Sequence, residues 1–409
     1  MVYCNATELH VAPPKDFFQR PQRDLSLRRS VSCVLPAHAG RPACASPRER
    51  RPLVLWVQSY LPESSPYSIT RGKVLSPPNR RCGSIPKKGT VLSSECTVVT
   101  GGAGFIGSHL CEVLLRDGRQ VLAVDNFSTG RRKNVAHLLG QPGFALLEHD
   151  ICEPLLLDTE VGLVFHLASP ASPVDFSRLP LEILRVNSQG TWNALALAER
   201  SHGRFVLAST SEVYGDPLEH PQRETYWGNV NPTGPRSAYD EAKRFAEALT
   251  VAYRRRHGLS TGIARIFNSY GPRMRRDDGR VVPTFISQAL EGKPLTVFGD
   301  GNQTRSFCYV GDMVGGLIAL ADADHPGPIN LGNPQEMTIS DLARMVVELT
   351  ASKSPIALQP APADDPRRRR PDISLSRDLL GWVPSTSPEA GLAKTIEYMR
   401  RETAGKSAV

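Results

Sequence analysis

Two residue groups and one loop carry most of the chemistry this sequence can do. Tyr239 and Lys243 stand at i and i+4 in Tyr239-Asp240-Glu241-Ala242-Lys243, so a helix puts both on one face. An ammonium beside a phenol, with the positive charge of an oxidised nicotinamide, should depress the tyrosine pKa and make it a usable base. A tyrosine merely packed on a lysine stem would read the same way, so the neighbours decide. Upstream, Ser209-Thr210-Ser211-Glu212 follows the apolar run Arg204 to Ala208. It offers hydroxyls and a carboxylate at the C-terminal end of a strand, where ligands bind in open parallel sheets.

The loop is Gly101-Gly102-Ala103-Gly104-Phe105-Ile106-Gly107. Gly102, Gly104 and Gly107 meet G-x-G-x-x-G, and Gly101, Gly104 and Gly107 meet G-x-x-G-x-x-G; either way the missing side chains let backbone N–H groups and a positive helix end approach a pyrophosphate. Asp125 comes 18 residues after Gly107, at the end of the next strand signal. A carboxylate there accepts ribose hydroxyls and disfavours a 2′-phosphate, so NAD is expected over NADP. Asp150 is a candidate for adenine contact, and a solvated loop aspartate reads equally well.

These residues need a scaffold that brings strand ends together. Cys96 to Thr100, Gln120 to Val124, Leu163 to Leu167, Arg204 to Ala208 and Thr261 to Ile266 read as strands, with helices expected at Ser108 to Arg116, Glu182 to Arg200 and Ala238 to His257. That alternation predicts an α/β, doubly wound parallel sheet of the Rossmann type over residues 95–266. Residues 267–409, with helical patterns near Thr284 to Leu290 and Ser340 to Leu349, read as a smaller substrate-binding lobe partly interleaved with it.

Composition narrows the field. With 40% hydrophobic and 22% charged residues, 409 residues exclude a fibrous or disulfide-stapled mini-protein. The eight cysteines form no CxxC pair, which speaks for reduced thiols, no metal site and a cytoplasmic setting. The net charge of +8 is uneven: residues 1–94 carry +10 and the remainder −2. That Pro/Arg-rich leader reads as disordered, with organelle targeting as the alternative. No run approaches the roughly 18 apolar residues of a membrane span, and no nucleic-acid partner is expected of a body so nearly neutral.

Taken in order, the motifs resemble the extended short-chain dehydrogenase/reductases, and within them the UDP-glucuronate decarboxylases. The resemblance runs from about Thr97 to Trp382 and rests on Gly101–Leu110, Asp125-Asn126-Phe127, His166–Pro173, Ser209–Pro217, Tyr226–Pro232, Arg265–Asn268, Asp278–Val282, Gln303–Phe307 and Arg370–Ile373. It implies NAD contacts from Gly101, Gly104, Phe105, Ile106, Gly107, Asp125, Asn126, Thr129, Gly130, Asp150, Ile151, Leu167, Ser169, Tyr239 and Lys243. It further implies Tyr239 as the base at the sugar 4-hydroxyl, Lys243 on the nicotinamide ribose and Thr210 on the 4-oxygen.

By the same resemblance, Glu212 and Ser211 sit by the sugar carboxylate and C5, with Arg369 as the carboxylate's partner. Asn268, Arg280 and Arg305 would hold UDP, while Arg185 and Tyr253 would contact substrate or diphosphate. The implied reaction takes UDP-glucuronate through a 4-ketone to UDP-xylose and CO2, in a homodimer. Arg185 stands where a lysine is usual and Leu156 where an aromatic is frequent. The run Arg367 to Arg370 leaves the carboxylate's partner ambiguous by one position. Two other readings compete: a UDP-sugar 4-epimerase or 4,6-dehydratase, and a non-catalytic NAD-binding scaffold, against which intact Tyr239, Lys243 and Thr210 argue.

Overall fold

Short β-branched runs feeding amphipathic helices give the first half its layers. In the computed structural model, which describes residues 95–360 and 368–404, β1 (Cys96–Thr100) leads through the glycine loop into α1 (Phe105–Arg116). The chain continues through β2 (Gln120–Asp125), β3 (Phe144–Glu148) and β4 (Val161–His166) to the short helices α2 (Pro173–Arg178) and α3 (Pro180–Arg185). Then come α4 (Thr191–Arg200), β5 (Arg204–Thr210), α5 (Ser237–His257) and β6 (Thr261–Ile266). The expectations for the leader 1–94 and for Arg367 lie outside the described residues.

Beyond β6 the elements are shorter: β7 (Ser269–Tyr270), α6 (Val281–Leu290), β8 (Leu295–Phe298), β9 (Thr304–Ser306), β10 (Cys308–Tyr309) and α7 (Val310–Asp322). There follow β11 (Pro328–Leu331), β12 (Glu336–Thr338), α8 (Ile339–Thr350), β13 (Ile356–Gln359), β14 (Arg368–Arg369), α9 (Ser374–Leu380) and α10 (Pro388–Ala404).

The main sheet has seven parallel strands in the order β3-β2-β1-β4-β5-β6-β11. The late strand β11 returns from beyond residue 267 to close its edge. Within β1, Val99 packs on the face covered by α1 and α7, and Val98 on the face covered by α4 and α5. This two-sided burial is why the strands read as continuous apolar runs. Strand order reverses between β1 and β4, so their C-terminal ends open the crevice where a doubly wound sheet binds its ligand. A third cluster joins α6, α8 and α10 through Phe285, Leu342 and Ile396. In the small sheet β12-β9-β14, Arg369 lies in register with Arg305.

The single helix expected over Glu182 to Arg200 is instead α3, a π-turn at Val186–Gly190 and α4. Asn187 within the turn donates to the Ile183 carbonyl and to Ser169, both at 2.9 Å. A side chain tied to the strand ends replaces a regular helix turn, a feature common at functional sites. Helix α7 left no sequence signal because it is packed beneath the sheet with Gly315 and Gly316 against Trp382, and a helix buried this way lacks a polar stripe. Among the described residues no helix is long and apolar enough to cross a membrane.

Candidate active site

One cleft of about 720 Å3 opens over the C-terminal ends of β1, β2, β4 and β5. At its deep end, Gly101 adopts φ +70° and approaches the segment after β4 so closely that a Cβ would stand 2.9 Å from the Ala168 backbone. Helix α1 starts at Gly104 without a side-chain cap or an acidic first turn, so its N–H groups and positive end are available to an anion. Phe105, Ile106 and Gly107 line this wall.

Asp125, buried at the end of β2, accepts hydrogen bonds from the backbone N–H of Ala103 (2.9 Å) and of Phe127 (2.8 Å). Burial raises its pKa while these donors pull it back. The loop 126–130 folds over the carboxylate, where a Cβ on Gly130 would lie 2.6 Å from Asp125 Oδ1. Asn126, Thr129, Asp150, Ile151, Leu167 and Ser169 line the same space. Asp150 accepts from the Cys152 N–H at 2.9 Å. An uncapped helix end, a glycine cradle and a carboxylate at the next strand's end fit the pyrophosphate and ribose of a dinucleotide.

At the middle of the cleft, β5 and α5 bring Thr210, Tyr239 and Lys243 together. The Lys243 Nζ donates to the Ala208 carbonyl at 2.9 Å and stands 6.0 Å from the centre of the Tyr239 ring. The ring stacks on Phe176 from α2, with centroids 4.5 Å apart. Burial pushes the Tyr239 phenol well above its ordinary value; the Thr210 hydroxyl, hydrogen-bonded to it, opposes this, and Lys243 does not. Burial also lowers Lys243 to about 7, so the lysine brings less charge than its type suggests. Within the chain, the pull that lowers the phenol comes from the Thr210 hydroxyl and the Arg280 guanidinium, against burial and the charges of Glu212 and Asp240.

Beyond Tyr239 the cleft is lined by arginines. Glu212, in the turn after β5, forms ion pairs with both Arg369 and Arg236. Burial alone would raise its pKa, but the two guanidinium groups bring it below the usual carboxylate range. Ser211 lies buried beside it. Arg369, 4% exposed, also donates to the Gly215 carbonyl at 3.1 Å. Arg369 shares the single Glu212 carboxylate with Arg236 and lines the same cleft. Arg280 is braced by Asp278 (2.9 Å) and faces Tyr239; Asn268 and Arg305 line the same end. Arg185 is exposed at the rim, 2.6 Å from Glu153 and 3.9 Å from Asp150.

Tyr253 is the one candidate the fold keeps away. It packs in the core beneath α4 and α5, edge-on to Trp192 at 5.8 Å. It lies 14 residues beyond Tyr239 on α5, about 21 Å along a helix axis.

Sequence reading missed Phe176, Arg236 and Asp240. The i, i+4 spacing of Arg236 and Asp240 beside Tyr239 could have pointed to the latter two; nothing local marks Phe176. It also missed Glu247, which accepts from Ser209 (2.6 Å) and Arg265 (2.7 Å) and so braces β5 against β6. His166, whose Nδ1 and Nε2 pair with the hydroxyls of Thr100 (2.8 Å) and Thr191 (3.2 Å), fixes β4 between β1 and α4. Among the described residues no group of side chains is arranged to hold a metal.

A doubly wound sheet with a dinucleotide cradle and a Tyr-Lys pair beside a strand-end threonine defines a dehydrogenase-like, NAD-dependent enzyme. The chain belongs to the NAD dependent epimerase/dehydratase family, whose signature matches residues 97–332. Among curated relatives it is 50% identical to UDP-glucuronic acid decarboxylase 1 of Arabidopsis thaliana, over 84% of this chain and 79% of that one. It is 53% identical to UDP-glucuronic acid decarboxylase 1 of Danio rerio, over 75% of this chain and 72% of the other. Among solved structures, UDP-glucuronic acid 4-epimerase from Bacillus cereus, in complex with UDP-glucuronic acid and NAD, superposes with a TM-score of 0.66 and 29% identity. That match covers 75% of this chain and 99% of the epimerase.

Proposed function

We propose that this protein is an NAD-dependent UDP-glucuronate decarboxylase, forming UDP-xylose and CO2 through a 4-ketone. The observation that carries the reading is the ionised Glu212, clamped by Arg236 and Arg369 next to Ser211, Thr210 and Tyr239. When bound, NAD would supply a reversible hydride acceptor for C4. The glycine loop, α1 and Asp125 would hold its pyrophosphate and ribose, and Lys243 would hold the nicotinamide ribose.

The chain's own groups do the rest. Tyr239 takes the proton of the 4-hydroxyl as C4 is oxidised. The C6 carboxylate then belongs to a β-keto acid, and its departure as CO2 leaves a bonding pair on C5 that delocalises onto the 4-oxygen. Thr210 and Tyr239 donate to that oxygen. Glu212, held as an anion beside the leaving carboxylate, opposes its charge and favours its loss. Arg280, Arg305 and Asn268 bind the UDP moiety, with Arg185 at the rim. Residues 95–266 thus supply the cofactor half and residues beyond 267 most of the nucleotide-sugar contacts.

A homodimer is supported by exposed apolar side chains on α3, α4 and α5, namely Leu181 (73% exposed), Trp192 (51%) and Phe245 (48%). A cytoplasmic setting is supported by the free thiols at Cys96, Cys111, Cys152 and Cys308. Reaction in deuterium oxide tests the function. UDP-xylose carrying one deuterium at C5 and none at C4 is expected, whereas unlabelled UDP-galacturonate would assign the cleft to an epimerase.

A further inference from the structure

Behind Glu212 lies a second cavity of about 220 Å3. Glu212, Pro235, Arg236 and Arg369 line both this space and the main cleft, so these four residues form the partition between them. Asp240 lines the rear cavity alone, and the rim is made by exposed loop residues, Asp216 and Asn229.

Asp240 is 5% exposed. Its Oδ1 has no hydrogen-bond partner among the described residues, and its Oδ2 stands 4.0 Å from Arg236 Nε. A buried carboxylate oxygen left this way is costly unless water or a proton satisfies it. The charged groups around it are Glu212 on the turn after β5, Arg236 ahead of α5, Arg369 on β14 and Glu241 on α5 itself. Burial first, then Glu212, raises the Asp240 carboxyl to about 7 against the pull of Arg236 and Arg369. Near neutral pH it can therefore gain and lose a proton.

The proposed reaction needs one proton from outside in every turnover. Carbon dioxide departs without the bonding pair, the pair remains on C5, and a new C5–H bond forms between that pair and a proton. The proton held by Tyr239 came from the 4-oxygen and must return there when the alcohol is restored. Glu212 is ionised at rest and has none to give.

Resting on the decarboxylase reading, we propose that Asp240 stores the proton destined for C5, passes it through water in the rear cavity by way of Glu212, and is recharged from solvent at the cavity's rim. Asp240 never touches the substrate; it acts through Glu212. The bookkeeping closes with Asp240 returning to its protonated form at the expense of bulk water.

The test follows single turnovers of the full-length holoenzyme with UDP-glucuronate, comparing wild type with Asp240→Asn and Asp240→Glu. Reduced cofactor and CO2 should appear in Asp240→Asn at the wild-type rate, while UDP-xylose forms at least tenfold more slowly. Asp240→Glu should restore UDP-xylose formation to within about threefold. Val230 also lines the rear cavity, and Val230→Trp, which would fill that space and leaves Asp240 in place, should delay UDP-xylose in the same way. An unchanged UDP-xylose rate in either Asp240→Asn or Val230→Trp overturns the proposal. So does an equal slowing of cofactor reduction and product, which would mean that Asp240 only supports Tyr239. Failure of the wild type to release CO2 would be a separate result, against the decarboxylase reading itself.

Discussion

Arg369 on β14 and Glu212 in the turn after β5 form a buried ion pair although 157 positions separate them. The pair ties the small sheet β12-β9-β14 to the end of the main sheet and keeps Glu212 charged within the cleft. Removing the arginine leaves a buried carboxylate with Arg236 as its remaining ion-pair partner. Arg369→Met should therefore destabilise the fold by about 3 kcal/mol, measured by urea unfolding at pH 7. It should also weaken UDP-glucuronate more than UDP, because the proposed function puts the sugar carboxylate in the disturbed region; equal weakening of both would move that region elsewhere.

Tyr239→Phe keeps the ring stacked on Phe176 and removes only the phenol oxygen. Folding and NAD binding should survive, while turnover falls by about 10²–10⁴-fold, the range for loss of a general base. Steady-state kinetics together with NAD titration would show both effects, and near-normal turnover would remove Tyr239 from its role.

Under the proposed function, the Asp125 carboxylate at the end of β2 is what favours NAD over NADP. Asp125→Ser should narrow that preference by about tenfold, equivalent to roughly 1.4 kcal/mol. Titration of both cofactors with the wild type and variant checks this. A preference unchanged by the substitution would place the selectivity outside β2.

Acidification from neutral pH should cost stability at the buried histidines, while protonation of Asp240, raised to about 7, works in the opposite direction. Burial lowers His166 to about 3, and burial assisted by Arg273 lowers His109 to about 4. Below the unfolded value near 6.5 the unfolded chain takes protons that the folded chain refuses, so protonation favours unfolding. His166 alone should cost about 2 kcal/mol between pH 7 and pH 5. Urea unfolding of His166→Gln should show a loss over this range smaller by that amount. Glu212, whose folded pKa is depressed, adds a further loss only below the ordinary carboxylate range.

The exposed Trp192 rests edge-on against Tyr253, so a core tyrosine holds an apolar ring at the surface. Trp192→Glu should convert a dimer to a monomer in light scattering without loss of helix content. A wild type already monomeric would contradict the assembly.

The cofactor wall was legible in the sequence because its parts are consecutive: a strand, three glycines, a helix and an aspartate at the next strand's end lie within 30 residues. Tyr239 and Lys243 were legible for the same reason. What lay hidden depends on contacts between distant segments. Phe176 reaches Tyr239 from α2, and Arg369 reaches Glu212 from β14; spacing records neither meeting. The π-turn at Val186–Gly190 is made by the Asn187 side chain bonding to Ser169, which an apolar period cannot reveal. Residue types show the lysine near Tyr239 but not the burial that raises one group and lowers the other.

The most direct measurement is to incubate the purified protein with UDP-glucuronate labelled with 13C at the carboxylate, without added NAD, and to follow the label and the sugar by NMR. The label should leave as CO2 at the rate at which UDP-xylose appears, catalysed by protein that retains its cofactor. A label that stays on the sugar, in UDP-galacturonate or in unreacted substrate even after NAD is supplied, would contradict the assignment of this cleft to decarboxylation.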